Sequence, residues 1–301
     1  MTPTPQTGSP RAEGRAIDGI LLVDKPAGLT SHDVVSVTRR ALGTRRTGHA
    51  GTLDPFATGL LVLLIGNATR LLPYIDGEPK VYEATVAFGA ETDTDDATGT
   101  DTRGADHPDP DRVRTALEQL TGTIEQVPPS FSAKQVGGRR AYAAARRGTP
   151  LELPRVQVTV QGWTIQHLSP DRLDATITCG SGTYIRALAR DLGRLCGSAA
   201  HLARLRRTRS GSFDVRDAVS IDALRVGEVA VRPPRAAVGH LPLVVLSPGE
   251  VTHVRHGRPV SSVSAPAEGS TAALVDDTGR LVAIAGRAEG AWQPRVVLPD
   301  A

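Results

Sequence analysis

RRTGHAGTLDPFATGL, residues 45–60, places a single acidic side chain, Asp54, among small residues. Gly48, Gly51 and Gly59 let the backbone turn sharply or pass close to a ligand. Pro55 disfavours the helical conformation for the residue before it, so Asp54 is expected on an extended loop. The segment predicts an exposed loop that presents a carboxylate.

The same dipeptide has a structural interpretation. Asp-Pro often begins a helix, with aspartate as the N-cap and proline in the first turn. Arg45, Arg46 and His49 stand just upstream and would let the loop meet an anion. Spacing alone slightly favours the helix start, so other segments must decide.

Apolar patterning outside this loop predicts interleaved strands and helices. A helix capped at Thr30 or Ser31 and ending near Gly43 lies before the loop, and short β-like runs occupy the C-terminal part. The irregular order favours an α+β fold with a mostly antiparallel sheet over a doubly wound one. The predicted strands are 17–23, 60–65, 81–88, 156–165, 173–179, 243–246, 271–275 and 281–285, and the remaining helices are 110–120 and 184–195.

Charge is unevenly distributed along the 301 residues, although the formal net charge is only +3. Residues 76–125 hold thirteen acidic and four basic side chains, whereas residues 131–210 hold fourteen basic and four acidic ones. Such a basic excess suits a polyanion partner. Only three of the 35 basic residues are lysines, so an arginine-rich solvated face from a GC-rich genome explains it equally well.

Several classes of protein are excluded by what the sequence contains. Cys179 and Cys196 lack metal-ligand spacing and are expected to be reduced, and we expect no metal site. The longest apolar run, residues 60–65, is too short to cross a membrane, and residues 1–16 lack the apolar core of an export signal. We therefore expect a cytoplasmic protein that does not bind membranes.

Two motifs that suggest ligand binding fail on spacing. Gly180 and Gly182 resemble a dinucleotide fingerprint, but Ile185 stands where its third glycine belongs. The acidic run at residues 93–96 resembles a calcium loop, but Gly99 comes one residue late and Ala97 occupies a ligand position.

Five segments in the same order resemble the bacterial tRNA pseudouridine-55 synthases of the TruB family, with coverage of about residues 17–215. Singly each segment is a weak signal, but five in sequence make a specific match. The resemblance also reverses the preference for Asp54 as a helix cap. The segments are LLVDKPAGLTSHDVV, TGHAGTLDPFATGLLVL, KVYEATVAFGAETDTDDATG, PPSFSAKQVGGRRAYAAAR, and CGSGTYIRALARDLG followed by HLARLRRTRSG.

The resemblance implies a pseudouridine synthase fold, with a mixed, mostly antiparallel sheet flanked by helices and a small C-terminal β-rich, PUA-like domain. The expected organisation is a disordered tail (1–16), a catalytic domain (17–215) with an RNA-contacting insertion (about 128–155), a connection (216–240) and the PUA-like domain (241–301). The implied reaction isomerises uridine 55 in the tRNA T-loop without a cofactor, and relatives are also expected to assist tRNA folding.

The resemblance also assigns roles to individual residues. Asp54 matches the catalytic carboxylate, which acts either as a nucleophile on C1′ or as a base at the 2′ position. Arg186 matches the arginine that pairs with it, and Asp96 a carboxylate that shares this arginine. Tyr82 matches the tyrosine that stacks on the target base, and Tyr184 an aromatic near the sugar.

Further matches concern RNA binding. A uridine in a folded loop must be swung out before its sugar can be reached. His49 matches the residue that fills the resulting gap, and Lys25 with Pro26 matches a motif that shapes the pocket floor. The basic excursion from Lys134 to Arg147, including Arg146, matches a segment that closes over RNA. Phosphate contacts are expected from a group of arginines that comprises Arg204, Arg206, Arg207 and Arg209.

Two other functions compete with the synthase. A non-catalytic RNA-binding protein would keep the basic surface, but intact Asp54, Tyr82 and Arg186 argue against it. A glycoside hydrolase needs two carboxylates around the bond, and Asp96, the candidate for the second, is expected to be occupied by Arg186. The expected partner is the T-stem-loop of tRNA; the sequence indicates no protein partner, and a monomer is expected.

Overall fold

A computed structural model of the chain describes residues 17–132, 134–149, 151–261 and 267–299. The tail expected at residues 1–16 lies outside this range. The strands are β1 (Gly19–Lys25), β2 (Thr47–His49), β3 (Thr58–Ile65), β4 (Lys80–Phe88), β5 (Ala90–Thr92), β6 (Asp101–Gly104), β7 (Gly122–Gln126), β8 (Gln135–Val136), β9 (Arg139–Arg140), β10 (Val156–Leu168), β11 (Arg172–Cys179), β12 (Ala200–Ser210), β13 (Phe213–Asp214), β14 (Val219–Ser220), β15 (Leu243–Val245), β16 (Thr271–Val275), β17 (Leu281–Ala288) and β18 (Ala291–Val297).

The α-helices of the described residues are short; four of the six lie where a helix was predicted, whereas those at 221–225 and 248–255 were not predicted. The first begins at the N-cap Thr30, whose hydroxyl accepts from the backbone of Asp33 in a capping box. Three 3₁₀ segments, Gly66–Tyr74, Val215–Asp217 and Pro234–Val238, accompany them. The helices are α1 (Ser31–Ala41), α2 (Pro110–Gln119), α3 (Ala141–Ala145), α4 (Ile185–Leu195), α5 (Ile221–Arg225) and α6 (Pro248–Arg255).

A large sheet organises the molecule, in the order β14-β1-β3-β12-β4-β11-β10-β7, with β2 on β3 and β13 on β12. The pairs β1/β14 and β3/β12 are parallel and the other pairs in this sheet are antiparallel. The expectation of a mixed, mostly antiparallel sheet flanked by helices is thus confirmed.

Helices cover the sheet according to the alternation of its strands. Leu21 and Val23 of β1 point toward α1, whereas Ile20 and Leu22 belong to the core on the opposite face. At the other end, α2 and α4 pack on β4, β10 and β11. Because neighbouring residues of a strand face opposite sides of the sheet, β1 contributes side chains to two hydrophobic cores.

Strand β12 is central and was not predicted. It lies between β3 and β4, although its sequence AHLARLRRTRS carries four arginines. Its alternation places Leu202 and Leu205 in the core between charged neighbours, with register shifts after Leu202 and Arg207. The strand was not predicted because charged side chains are rarely buried, so four arginines argued against a strand at the centre of a sheet.

Residues 216–240, expected as a connection, add structure to the large sheet. Strand β14 pairs with β1, and α5 packs beside α1. A separate sheet, β15-β16-β17-β18, closes the chain with α6. Its β16 and β17 form the expected hairpin around residues 276–279. Within the described ranges, no helix has the length and apolar character needed to cross a membrane.

Candidate active site

Asp54 lies in an irregular loop between β2 and β3, and no helix follows it. The backbone N–H of Ala57 donates to the carbonyl of Asp54 at 3.1 Å, and the chain enters β3 at Thr58. The Asp54 side chain caps no helix, so the helix-start interpretation of Asp-Pro is wrong. Its carboxylate is one-third exposed.

The loop is braced from below by side chains of the first strand and helix. Ser31 accepts from the backbone N–H of Leu53 at 2.9 Å and donates to its carbonyl at 3.1 Å. Lys25 is fully buried and its Nζ donates to the carbonyls of Leu29 at 2.7 Å, Pro26 at 3.0 Å and Pro55 at 3.3 Å. Burial lowers the pKa of Lys25 to about 8, although nearby Asp54 opposes the shift. We call residues 50–57 with these braces the cleft floor.

Arg207 supports the cleft floor from β12. It is 1 % exposed, and its guanidinium donates to the carbonyls of Leu60 at 2.8 Å, Gly51 at 3.0 Å and Thr52 at 3.4 Å. We expected an exposed phosphate contact here. The structure instead buries this side chain, because position 207 faces the cleft floor and its N–H groups are taken by carbonyls.

Arg186 meets the Asp54 carboxylate with two hydrogen bonds. Its Nε donates to Asp54 Oδ2 at 2.9 Å and its Nη2 to Asp54 Oδ1 at 3.1 Å. The guanidinium side chain is 5 % exposed and belongs to the first turn of α4. Bidentate pairs of this kind fix the plane and the direction of a carboxylate.

The remaining donors of Arg186 are also engaged. Nη1 donates to the carbonyl of Thr94 at 2.8 Å and lies 3.6 Å from Asp96 Oδ2, and Nη2 donates to the carbonyl of Phe131 at 3.0 Å. Asp96 Oδ1 accepts from the hydroxyl and backbone N–H of Thr98. The arginine therefore holds one orientation between two carboxylates.

A second buried pair lies beside this network and was missed from the sequence. Arg190, one turn after Arg186 on α4, donates to Asp95 Oδ2 at 2.9 Å, and Asp95 has a positive φ of 59°. Burial raises the pKa of Asp95 to about 6, with Arg190 opposing it. The loop of residues 93–96 thus contacts α4 through two carboxylate–arginine pairs. The four-residue spacing of Arg186 and Arg190, which places both on one face of a helix, was the feature of the sequence that could have indicated the second pair.

A cleft of about 1050 Å³ opens above Asp54. It brings together most of the site residues predicted from the sequence, including Arg207, whose guanidinium lies against the cleft floor. Among them, Tyr82 is 7 % exposed, and burial raises the pKa of its phenol. The predicted site residues that line the cleft are His49, Asp54, Tyr82, Asp96, Arg146, Tyr184, Arg186 and Arg207.

Tyr184 is held through its backbone by a residue with no sequence signal. Gln126, at the end of β7, is fully buried; its Oε1 accepts from the N–H of Tyr184 at 2.9 Å and its Nε2 donates to the carbonyl at 3.1 Å. This contact sets the start of α4, where Tyr184 is the N-cap without a side-chain cap. It therefore also fixes Arg186.

His49 ends β2 at the rim of the cleft. Burial lowers the pKa of its imidazole, with His32 and Arg207 adding to the effect. Its buried Nδ1 has no hydrogen-bond partner in the described part of the chain. A neutral, half-buried ring therefore stands at the cleft entrance.

The basic segment, residues 128–149 without Ala133, forms the roof of the cleft. It contains the β8/β9 hairpin and α3, so its second half is helical as predicted. Tyr142, 42 % exposed, packs edge-on to Phe131 and carries Arg146 over its ring at 4.6 Å. The segment combines an aromatic surface with cations, a pairing suited to bases and phosphates.

Six of the predicted arginines and lysines do not line the cleft: Lys25, Lys134, Arg147, Arg204, Arg206 and Arg209. Lys25 lies beneath its floor, while Lys134 and the exposed Arg147 belong to the basic segment away from the lining. Arg206 pairs with Asp24 through contacts of 3.0 and 2.7 Å and lines a groove on the other face of the sheet. Arg206 and Arg207 lie on opposite faces because adjacent strand residues alternate, so any phosphate contact of Arg206 would lie outside the cleft.

The fold has close counterparts among solved structures. It aligns with a TM-score of 0.70 to a chain of "Structure of H/ACA RNP bound to a substrate RNA containing 2'-deoxyuridine", at 23% identity, covering 93% of this chain and 85% of the other. A chain of the "Crystal structure of the archaeal box H/ACA sRNP Nop10-Cbf5 complex" aligns with a TM-score of 0.69 at 24% identity, covering 93% and 86%. The chain therefore shares its fold with these proteins.

Comparison of the amino-acid sequence with known families and proteins identifies the family of this chain. Residues 39–185 match the TruB family pseudouridylate synthase (N terminal domain), and residues 186–231 the tRNA pseudouridylate synthase B C-terminal domain. Relatives named tRNA pseudouridine synthase B include one from Thermobifida fusca at 48% identity (93% of this chain, 98% of the other) and one from Gloeobacter violaceus at 44% (94% and 99%). The chain belongs to the TruB family of pseudouridylate synthases and is an isomerase, which confirms the resemblance seen in its motifs.

Proposed function

We propose that this enzyme converts uridine 55 in the T-loop of tRNA to pseudouridine, with Asp54 as the catalytic carboxylate. The observation that carries the proposal is the Asp54 carboxylate, one-third exposed at the cleft floor and held by two hydrogen bonds from Arg186. The relatives named tRNA pseudouridine synthase B support tRNA as the substrate. A carboxylate so oriented can reach the ribose of a nucleotide in the cleft.

The reaction breaks the N1–C1′ bond, joins C1′ to C5, removes the proton from C5 and returns one to N1, so no oxidant or reductant is consumed. Asp54 acts on C1′ as a nucleophile or at the 2′ position as a base. An adjacent guanidinium favours the ionised form of a carboxylate, which either role needs. Substrate deuterated at the 2′ carbon distinguishes the routes, since only the base route breaks that bond.

The nucleotide must leave its stacked position to reach Asp54, at a cost of a few kcal/mol. We assign His49 to the vacated space in the RNA, Tyr82 to stacking on the flipped uracil, and Tyr184 to the sugar. The neutral, half-buried imidazole at the rim supports the first assignment. The common lining of the cleft supports the other two.

We propose that residues 17–215 form the catalytic domain and residues 128–155 its RNA-contacting insertion. Residues 216–240 would connect it to a small β-rich, PUA-like domain, residues 241–301. The exposed Tyr142 and Arg146 at the cleft rim support a role of the insertion in binding. The protein would act as a cytoplasmic monomer on tRNA.

The test incubates the purified protein with an unmodified tRNA transcript and then digests the RNA for nucleoside analysis. Pseudouridine is expected in the parent transcript and is expected to disappear when uridine 55 is replaced by cytidine. Free uracil would indicate a hydrolase, and binding without a new nucleoside would indicate a binding protein. Pseudouridine that persists in the cytidine-55 transcript would contradict the assigned position.

A further inference from the structure

One cation on the cleft wall has no role in the site described above. Lys80 begins β4, two residues before Tyr82, so both side chains project from the same face of the strand. Both line the cleft. The Nζ of Lys80 donates to the hydroxyl of Ser181 at 2.6 Å, which holds the ammonium against the Gly180–Gly182 turn. This is the one hydrogen bond of Lys80 Nζ among the described residues, and it leaves two of the three donors for a ligand.

The charges around the cleft are unequally matched. Arg186 is paired with Asp54 and Asp96, and Arg190 with Asp95 and Asp191. In the described ranges, Lys80 has no ion pair with a carboxylate.

Arg207, which lies near Lys80, likewise makes no ion pair with a carboxylate in the described ranges. The guanidinium of Arg207 donates to the carbonyls of Leu60, Gly51 and Thr52 and also contacts the phenol of Tyr82. Burial lowers the pKa of Lys80 and the charge of Arg207 lowers it further, while the nearby carboxylate of Glu78 opposes the shift. Glu78 influences Lys80 only without direct contact, and a partly buried cation that lacks a direct ion pair is costly, so an anionic ligand at Lys80 would offset that cost.

The wall also lies against the loop that carries Asp54. A Cβ placed on Gly51 would stand 3.7 Å from Lys80 Cε and 3.5 Å from Arg207 Nη1. Both distances are ordinary van der Waals contacts, so the loop lies directly against the lysine stem, and the φ of +99° at Gly51 is the reason that glycine suits this position. Lys80 therefore lies beside the loop that presents Asp54, inside the cleft that a nucleotide must enter to reach this carboxylate.

We propose that Lys80 binds a backbone phosphate flanking the target uridine, with Ser181 holding its ammonium in place. The inference rests on the proposed function, because the phosphate belongs to the RNA that enters the cleft. A lysine is a compact point charge, which suits a single phosphate better than a base edge. Lys80 would then position the substrate and take no part in bond making.

The first experiment measures binding of a T-stem-loop RNA by Lys80→Gln at several salt concentrations. Loss of one phosphate contact is expected to reduce the slope of log affinity against log salt by about 0.7–0.9, equivalent to about threefold between 50 and 200 mM salt. Lys80→Arg is expected to restore the slope. Arg172→Gln, which removes the same charge from the far end of β11, is the matched control and should keep the parental slope.

The second experiment uses RNAs in which one phosphate flanking the target uridine is replaced by a neutral methylphosphonate. The parent protein is expected to lose the same increment of slope at one of the two positions. With Lys80→Gln, that RNA should bind no more weakly than the natural RNA. The measurements on the parent protein test the contact with the phosphate even if the Lys80→Gln variant folds poorly.

An unchanged slope for Lys80→Gln, or additive losses at both positions in the cycle, would overturn the proposal and leave Lys80 as a brace for the Ser181 turn. Lack of effect from both neutral linkages on the parent would overturn it equally. A parent protein that forms no pseudouridine would instead contradict the proposed function. The two failures are therefore distinguishable.

Discussion

The cleft floor and the basic segment face each other across one cleft but are built in opposite ways. At the floor, Lys25, Ser31 and Arg207 are buried and hydrogen-bond to backbone groups of the loop. On the basic segment, Tyr142 and Arg146 are exposed, and their side chains stack on each other beside Phe131. Chemistry needs a carboxylate held in one orientation, whereas RNA binding needs charge that can adapt to a backbone.

The largest effect is expected from Asp54→Asn at the floor. The substitution keeps size but removes the charged oxygen, so pseudouridine formation should fall by roughly 10²–10⁴-fold or more. Affinity for T-loop RNA should change little, because the carboxylate serves the chemistry. Single-turnover kinetics and RNA binding measure the two effects. Asp101→Asn on the exposed strand β6 is the control, and substantial turnover by Asp54→Asn would refute the role of Asp54.

Lys25→Met tests the floor through the pH dependence of stability. The pKa of Lys25 is about 8 when folded and 10.5 as the reference value, so between these pH values the unfolded chain binds more protons. Stability of the parent should therefore rise relative to the variant from pH 8 to 10.5, by at most about 3 kcal/mol. Urea unfolding at several pH values measures it, and a constant difference would contradict the buried charge.

Removing charge from the basic segment tests whether this segment serves RNA binding and not the chemistry at the cleft floor. Arg146→Gln with Arg147→Gln should reduce the salt slope of RNA binding by about 1.4–1.8, or about tenfold in affinity between 50 and 200 mM salt. The turnover rate at saturating RNA should stay close to the parental rate, since the floor is untouched. Arg112→Gln with Arg114→Gln on α2 removes equal charge as a control. A lowered saturating rate with an unchanged slope would move these arginines out of the interface.

The smallest effect is expected from Arg206→Gln. Its partner Asp24 is about one-third exposed, as Arg206 is, so the pair should contribute about 0–1 kcal/mol to stability. RNA affinity and its salt slope should match the parent, because Arg206 lies on the face away from the cleft. Binding titrations at two salt concentrations measure this. A slope reduced by about one unit would reinstate the phosphate contact expected from sequence.

Much of the fold was predictable because local patterns agree with it. Alternation identified β4 and β11, and capping at Thr30 with the apolar positions of α1 identified the first helix. Strand β12 escaped because its inward residues are separated by arginines. Strand β14 escaped because two residues are too few for a pattern, and only pairing with β1 makes them a strand.

The site was predictable only where a motif carries it. Asp54 and Arg186 are 132 residues apart, and the motif match brought them together before the structure did. No local signal marks Gln126, whose amide ties β7 to the start of α4. Lys80 lies inside a quoted motif, but its contact with Ser181 crosses 101 residues of chain.

By itself, the sequence determined the family, the reactive loop around Asp54 and the residue types that surround it, because these depend on local backbone freedom and on motif order. Only the tertiary structure decided between neighbours: Arg207 braces the cleft floor while Arg206 faces away, and Asp96 approaches Arg186 while Asp95 pairs with Arg190. Alternation along a strand says that adjacent side chains face opposite sides. Which side becomes the cleft depends on pairings between β3, β12 and β4, whose residues are distant in the chain.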